Sequence, residues 1–345
     1  MPSFRRSTVA EVLSARPGLQ RVRLDEGRAY VLTQLTGTVA VGDDVIVNTT
    51  AVELGLGTGG WHVVHWNLAR DGWSEPGPGH IMKLRYTSLQ VDAGAAEESS
   101  DGTDAEGLDG TPVVVCSLHS QLPGVAATVK AVEPALRVSY VMTDGAALPM
   151  AFSDLVVALR DRDLVDGTVT AGHAFGGELE AVTVASALSL ARHRQRADVV
   201  VVAMGPGVVG TGTRLGTTAL EVATIADTAA WLGGQPVVCP RLSDADARPR
   251  HRGISHHTLT ALDAVRSTVR VALPERPEPW VLDVGDPPPV LDVVAGPDVG
   301  ELLAGHDLRV TTMGRGPDQE PSFFAACGAA GVVAARLATT PNSSQ

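Results

Sequence analysis

The sequence predicts an α/β protein: a mostly parallel, doubly wound (Rossmann-like) sheet preceded by a small all-β barrel or sandwich. Three observations predict it. From residue 111 onward, short apolar runs alternate with helix-like stretches through polar loops, the pattern of parallel strands joined by crossover helices. Residues 198–204 are nearly all valine, as a strand covered on both faces requires. An acidic stretch then divides this region from an N-terminal part in which no helical period persists.

Residues 1–91 are the expected β-domain. Its candidate strands are residues 21–24, 29–32, 37–41, 45–48 and 61–66, with Gly42, Asp43 and Asp44 as a tight turn. Residues 92–110 hold seven acids, no base and almost nothing apolar, which predicts a flexible, self-repelling linker. Residues 111–337 are the expected ligand-binding α/β domain. Its strands fall at residues 111–116, 137–142, 167–170, 198–204, 237–239, 268–273 and 308–312. Helices fall at 124–133, 152–160, 178–194, 218–232 and 321–337, the last opened by a proline. Residues 274–297 are proline-rich and receive no element, and residues 338–345 read as a frayed tail.

The net charge of −12 argues against a partner that is nucleic acid or a membrane. That charge is uneven: −7 lies in the acidic linker, +1 before it and −6 after it. Lysine occurs only at Lys83 and Lys130, so no Walker-type Gly-Lys-Ser/Thr loop exists. No apolar run approaches the ~18 residues of a membrane span, and the segment Met1 to Arg6 has no apolar signal core. Cys116, Cys239 and Cys327 lack metal-type spacing and read as buried thiols of a cytoplasmic protein.

Ligands of open α/β sheets bind beyond the carboxyl ends of the strands. Those loops carry His119; Asp144; His173 and Glu178; a glycine loop with Gly205, Gly207, Gly210, Gly212, Thr213 and Arg214; and residues 241–257, with four arginines and three histidines. The glycine loop with Arg214, Arg250 and Arg252 is the expected anion cradle. Gly205, Gly207 and Gly210 stand in dinucleotide-type spacing, but the helix starts late and no acid is placed for a ribose. A nicotinamide or flavin dinucleotide therefore ranks behind a divalent metal as cofactor. His119, Asp144, His173, Glu178 and His257 are the expected metal ligands. His173, Glu178 and His256, with His119 and Asp144, are the expected proton-transfer groups. Small residues of the last helix (Ala325, Ala326, Gly328, Ala329, Gly331) suit close packing within the chain or across a homodimer.

These motifs resemble the bacterial family known only as domain of unknown function 3866. The resemblance rests on Leu35-Thr36-Gly37 through Asn48-Thr49-Thr50-Ala51, and on Gly79-His80-Ile81-Met82-Lys83-Leu84-Arg85-Tyr86-Thr87. Gly172-His173-Ala174-Phe175-Gly176-Gly177-Glu178, the glycine loop and His251-Arg252-Gly253-Ile254-Ser255-His256-His257-Thr258 complete it. It implies a bacterial cytosolic protein and carries no activity. The residues themselves point to a hydrolase or transferase acting on a small anionic or phosphorylated metabolite. The alternative is a non-catalytic sensor or assembly protein whose β-domain contacts a partner.

Overall fold

The computed structural model describes residues 1–99 and 106–340, and the chain divides into two compact units, Met1–Gly94 and Ala95–Gln345. The first unit is a closed barrel of β1 (Phe4–Arg16), β2 (Leu19–Leu24), β3 (Arg28–Leu32), β4 (Asp44–Asn48) and β5 (Trp61–Asn67), in the order β1-β2-β3-β5-β4. β3 and β5 run parallel and the other pairs antiparallel. Alternate residues, among them Val22, Leu24, Ala29, Val31, Val45 and Val47, fill the interior. β1 closes the barrel by pairing with β2 and β4, and two register shifts, at Val9/Glu11 and Val12/Ser14, let it bend. Those shifts spoil its alternation, so this long strand was not among the expected ones.

One expectation in this unit is corrected. Residues 37–41 form no strand; they follow α1 (Thr33–Thr36). The backbone of Val39 is satisfied by the Gln20 amide instead, which accepts from its N–H at 2.9 Å and donates to its carbonyl at 3.3 Å. A short helix, α2 (Thr50–Glu53), precedes β5, and β6 (Met82–Lys83) pairs with β7 (Val91–Asp92). Leu84 and Tyr86 have positive φ, which ends β6 after two residues.

The acidic stretch is not a tether at its described ends; residues 100–105 lie outside the described residues. Glu97, in a 3-10 turn at Ala96–Ser99, accepts a hydrogen bond from the Val182 N–H at 3.0 Å. Leu108 is fully buried, and its N–H donates to the Leu232 carbonyl at 2.8 Å. One leucine suffices to pin this end because it enters a hydrophobic core.

The second unit runs β8 (Pro112–Cys116), α3 (Leu122–Val132), β9 (Val138–Thr143), α4 (Asp154–Arg160), β10 (Gly167–Ala171), β11 (Leu179–Ala181), α5 (Val184–His193), β12 (Val199–Met204) and α6 (Glu221–Trp231). It continues with β13 (Gln235–Cys239), β14 (Leu242–Ser243), β15 (Gly253–Ile254), α7 (His256–Ala264), β16 (Arg270–Pro274), β17 (Val290–Val294), α8 (Val299–Gly305) and α9 (Pro321–Thr339). Eight strands form one parallel sheet, β11-β10-β9-β12-β8-β13-β16-β17. Alternate strand residues serve opposite faces. Val114, Tyr140, Val201 and Val237 pack with α3, α8 and α9, while Val113, Val141, Val200 and Val238 pack with α5, α6 and α7. Both faces are covered, so the valine runs read as predicted.

The expected helix 178–194 is instead β11 followed by α5. Thr183 stops the strand and caps the helix, its hydroxyl accepting from the Ser186 N–H at 3.1 Å. No strand forms at residues 308–312, whereas β17 occupies the proline-rich stretch. One helix among the described residues, α9, is long and apolar enough to cross a membrane, which corrects the expectation that no run qualifies. Two-thirds (67%) of its 18-residue apolar stretch is buried, and the helix packs on one face of the sheet. Its small residues are consumed within the chain: a Cβ on Gly331 would meet the Thr128 Cβ at 2.6 Å, and one on Gly124 the Cys327 Cβ at 2.7 Å.

Candidate metal centre

The densest polar chemistry lies in the loop after β13. β14 and β15 pair antiparallel, Leu242 with Ile254 and Ser243 with Gly253, and so draw the loop's ends together. Between them Asp246, almost fully buried, organises the excursion. Arg248 grips its carboxylate in a fork, Nε to Oδ1 at 2.9 Å and Nη2 to Oδ2 at 2.8 Å, and buried Arg241 adds a third bond at 3.1 Å. The Arg248 hydrogen bonds and the nearby positive charges hold the Asp246 carboxyl far below the usual range. Arg252 donates through Nε to the Asp246 carbonyl at 3.0 Å. Glu320, fully buried ahead of α9, accepts from Ser243 Oγ, from the Asp244 N–H and from Arg315 Nε at 2.6 Å.

This clamp presents three imidazoles. His251 ends a 3-10 turn at Pro249–His251, and His256 and His257 open α7 behind the Ser255 N-cap. Their ring centroids are 4.2–4.9 Å apart, and one ligand nitrogen from each lies within 4.8 Å of the others. A tetrahedral zinc–nitrogen edge is roughly 3.3 Å, so a bound ion would draw the rings slightly together. The Ser255 hydroxyl binds His251 Nδ1 at 2.8 Å and accepts the His257 N–H at 3.3 Å; Thr217 Oγ1 stands 3.4 Å from His257 Nδ1. Such outer contacts fix the tautomer that leaves Nε2 as the ligand. The Nε2 atoms of His256 and His257 are buried and have no hydrogen-bond partner, and a buried polar atom left so is costly unless a ligand completes it.

The electrostatics keep these rings neutral. Burial, then the Arg241 and Arg248 charges, push His251 down to about 4. Burial, then the neighbouring His256 and arginines, take His257 to about 4. Burial, then Arg250, lower His256. Neutral imidazole is the metal-binding form. Among the described residues, this trio is the only group of histidine, cysteine and acidic side chains with metal-ligand geometry.

The five ligands expected from sequence are not gathered. β9 and β10 stand three and four strands from β13, roughly 14 and 19 Å at ~4.8 Å per strand. His119 is buried with both ring nitrogens engaged, Nδ1 with Tyr140 Oη at 3.2 Å and Nε2 with Ser153 Oγ at 2.7 Å, which makes it a core residue. Asp144 accepts the His173 N–H at 2.9 Å and shapes the turn after β10. Glu178 is at the opposite edge. Because β10 and β11 are parallel, the chain must return along β10, and Glu178 accepts the Thr168 N–H near that strand's start and pairs with Arg160. Of the expected proton-transfer groups, only His256 stands in the trio. His251 was missed as a ligand; its nearness to His256 and His257 in sequence was the available signal.

The glycine loop is not an open phosphate cradle. Gly210 pairs with Thr217, the Thr211 N–H donates to the Gly216 carbonyl at 2.7 Å, and the Gly216 N–H donates to Thr213 Oγ1 at 3.2 Å. Arg214 pairs with Asp263 away from the trio. A nucleotide would also need the helix to follow at once, but α6 starts at Glu221. What the loop does supply is a wall: a Cβ on Gly210 would lie 2.9 Å from His257 Cε1.

A family model described as a protein of unknown function, DUF3866, matches residues 28–331, nearly the whole chain. No curated protein and no solved structure matches it.

Proposed function

The chain belongs to the DUF3866 family, and from its geometry we propose a metal-dependent hydrolase that acts on a small anionic metabolite. His251, His256 and His257 hold one divalent ion of the zinc class through Nε2. The observation that carries this reading is the pair of buried, unpartnered Nε2 atoms beside a third imidazole within 4.8 Å. Three protein nitrogens are the donor set of catalytic rather than structural zinc, and an ion held by them would supply Lewis-acid chemistry. The chain's own residues set the site. Ser255 and Thr217 orient the rings, the Asp246 clamp fixes His251, and Gly210 walls off His257. The buried free thiols Cys116, Cys239 and Cys327 support a reducing, cytosolic setting.

The test is metal analysis of purified protein together with zinc titration. Wild type is expected to bind one ion per chain, and His257→Ala none. Stoichiometric zinc in His257→Ala, or none in wild type, sinks the metal. A wild type that binds metal but turns over no phosphate or carboxylate ester favours a sensor instead.

A further inference from the structure

We infer that the outer face of the barrel over β2, β3 and β5 binds single-stranded nucleic acid, stacking bases on an arginine–aromatic column and pairing its arginines with phosphates. The inference owes nothing to the metal reading, because every residue it uses belongs to the first unit.

Strand register decides which side chains share that face. Residues paired across neighbouring strands point the same way, and Val22 and Ala29 meet in the barrel interior. Arg21 therefore faces Tyr30, and Arg23 faces Arg28, on the outside. Across the parallel pair, Arg28 stands beside Trp61 and Tyr30 beside Val63. The patch is Arg21, Arg23, Arg28, Tyr30, Trp61 and Val63, with no acid among them. Glu11, on β1 at its margin, pairs with Arg23.

These side chains stack on one another. Tyr30 and Trp61 lie with ring centroids 4.8 Å apart and planes 22° from parallel. The Arg28 guanidinium carbon is 4.5 Å from the Trp61 ring centre, and that of Arg21 is 5.6 Å from the centre of Tyr30. Arg23 and Arg28 are exposed, while Arg21, Tyr30 and Trp61 are half-buried, so the column is held in place yet reaches solvent. The loop before β5 borders it, since Arg28 Nη2 donates to the Gly59 carbonyl at 3.4 Å. A Cβ added at Gly55, Gly57 or Gly60 of that loop would meet nothing within 4 Å, which leaves room for a chain laid alongside. Every nucleobase has a π-face to stack, and guanidinium groups serve both stacking and phosphate. An acidic protein would use the arginines and leave the rings idle; a nucleic acid uses both. The chain's charge of −12 does not oppose it here, because residues 1–91 sum to +1.

Fluorescence anisotropy of labelled oligothymidylate and oligouridylate, each of about 12 nucleotides, tests this with the full chain between about 50 and 200 mM salt. Wild type is expected to bind, and more weakly as salt rises. Trp61→Leu should weaken binding at least about fivefold, the smaller end of a lost base–aromatic stack, whereas Trp61→Phe keeps a ring face and should stay near wild type. Arg28→Met should weaken binding and lower the slope of log affinity against log salt by about 0.7, one phosphate contact. Arg276→Met, which breaks the arginine–tryptophan pair with Trp280 in the second unit, should change nothing. If Trp61→Leu unsettles the barrel, exposed Arg28 decides the matter alone. Tighter oligouridylate identifies RNA, and tighter oligothymidylate DNA. No binding by wild type at about 50 mM salt, equal affinity in Arg28→Met and wild type, or equal losses in Trp61→Leu and Trp61→Phe overturns the inference. So does labelled polyglutamate held as tightly as the oligonucleotides, which marks an acidic protein partner instead. Zinc titration has no bearing on these outcomes, so this inference and the metal reading fail separately.

Discussion

His119 and His257 stand in the connections that follow β8 and β13 at the same edge of the same sheet, both are buried, and in both burial drives the imidazole pKa to about 4. The difference lies in what the second nitrogen finds. His119 has Tyr140 on one side and Ser153 on the other, so its burial is complete and its role is to tie β9 and α4 to the loop after β8. His257 has Thr217 on Nδ1 and nothing on Nε2, and two more imidazoles stand around that gap. Burial and a shifted pKa therefore do not separate the two histidines; the unspent nitrogen does, and the proposed metal site rests on it.

The sharpest way to break this contrast is to truncate each ring. His257→Ala should lower zinc affinity by more than the 10–100-fold that loss of an outer-shell partner costs, whereas His119→Asn should leave it unchanged; isothermal titration reads both. A comparable loss in His119→Asn would erase the distinction. Next in size is the clamp beneath the trio. Asp246→Ala strands buried Arg241 without its counter-charge, and should cost about 3–5 kcal/mol in urea unfolding.

Smaller is a pH effect that His119 shares with His251 and His257. The folded pKa of His119 is about 4, below the ~6.5 of an unfolded imidazole. The unfolded chain thus takes up a proton between those values that the folded one refuses. The stability this contributes is complete above pH 6.5 and is lost as pH falls toward 4, up to about 3 kcal/mol. Glu221 works against it, since burial raises its carboxyl to about 7 and its contribution is lost as pH rises from 4.5. Urea midpoints of wild type and His119→Asn at pH 7 and 4.5 cancel the Glu221 part; parallel pH profiles would contradict the assignment. Smallest is Ser255→Ala, which removes a helix cap worth about 1 kcal/mol and one orienting contact on His251. Zinc affinity should fall roughly tenfold or more with it.

How much of this was legible in the sequence follows from what each element leans on. β12 and β13 were plain because both their faces are buried, and their valines cannot read as anything else. β1 was hidden because a bent barrel strand breaks its own alternation, and β11 because three edge residues merged with the helix after them. The trio's loop stood out because its histidines and arginines are close in sequence. The wider set failed for a geometric reason: loops at one edge need not converge when the sheet is eight strands broad. Glu178 failed for a topological one, since a parallel neighbour forces the chain back to the opposite edge.

The buried apolar helix α9 has a consequence for the order of events during synthesis. It follows every strand it covers, and it packs on β8, β13 and β16 together. The barrel's strands, by contrast, are all made within the first 67 residues. A growing chain can therefore close the barrel early, while the sheet face that α9 shares with α3 and α8 stays incompletely covered until residues 321–339 emerge. Through that interval the part of the face that α9 covers, over β8, β13 and β16, has no partner yet made. Translation stalled before Pro321 should yield a chain with a finished barrel and a sheet that chaperones hold.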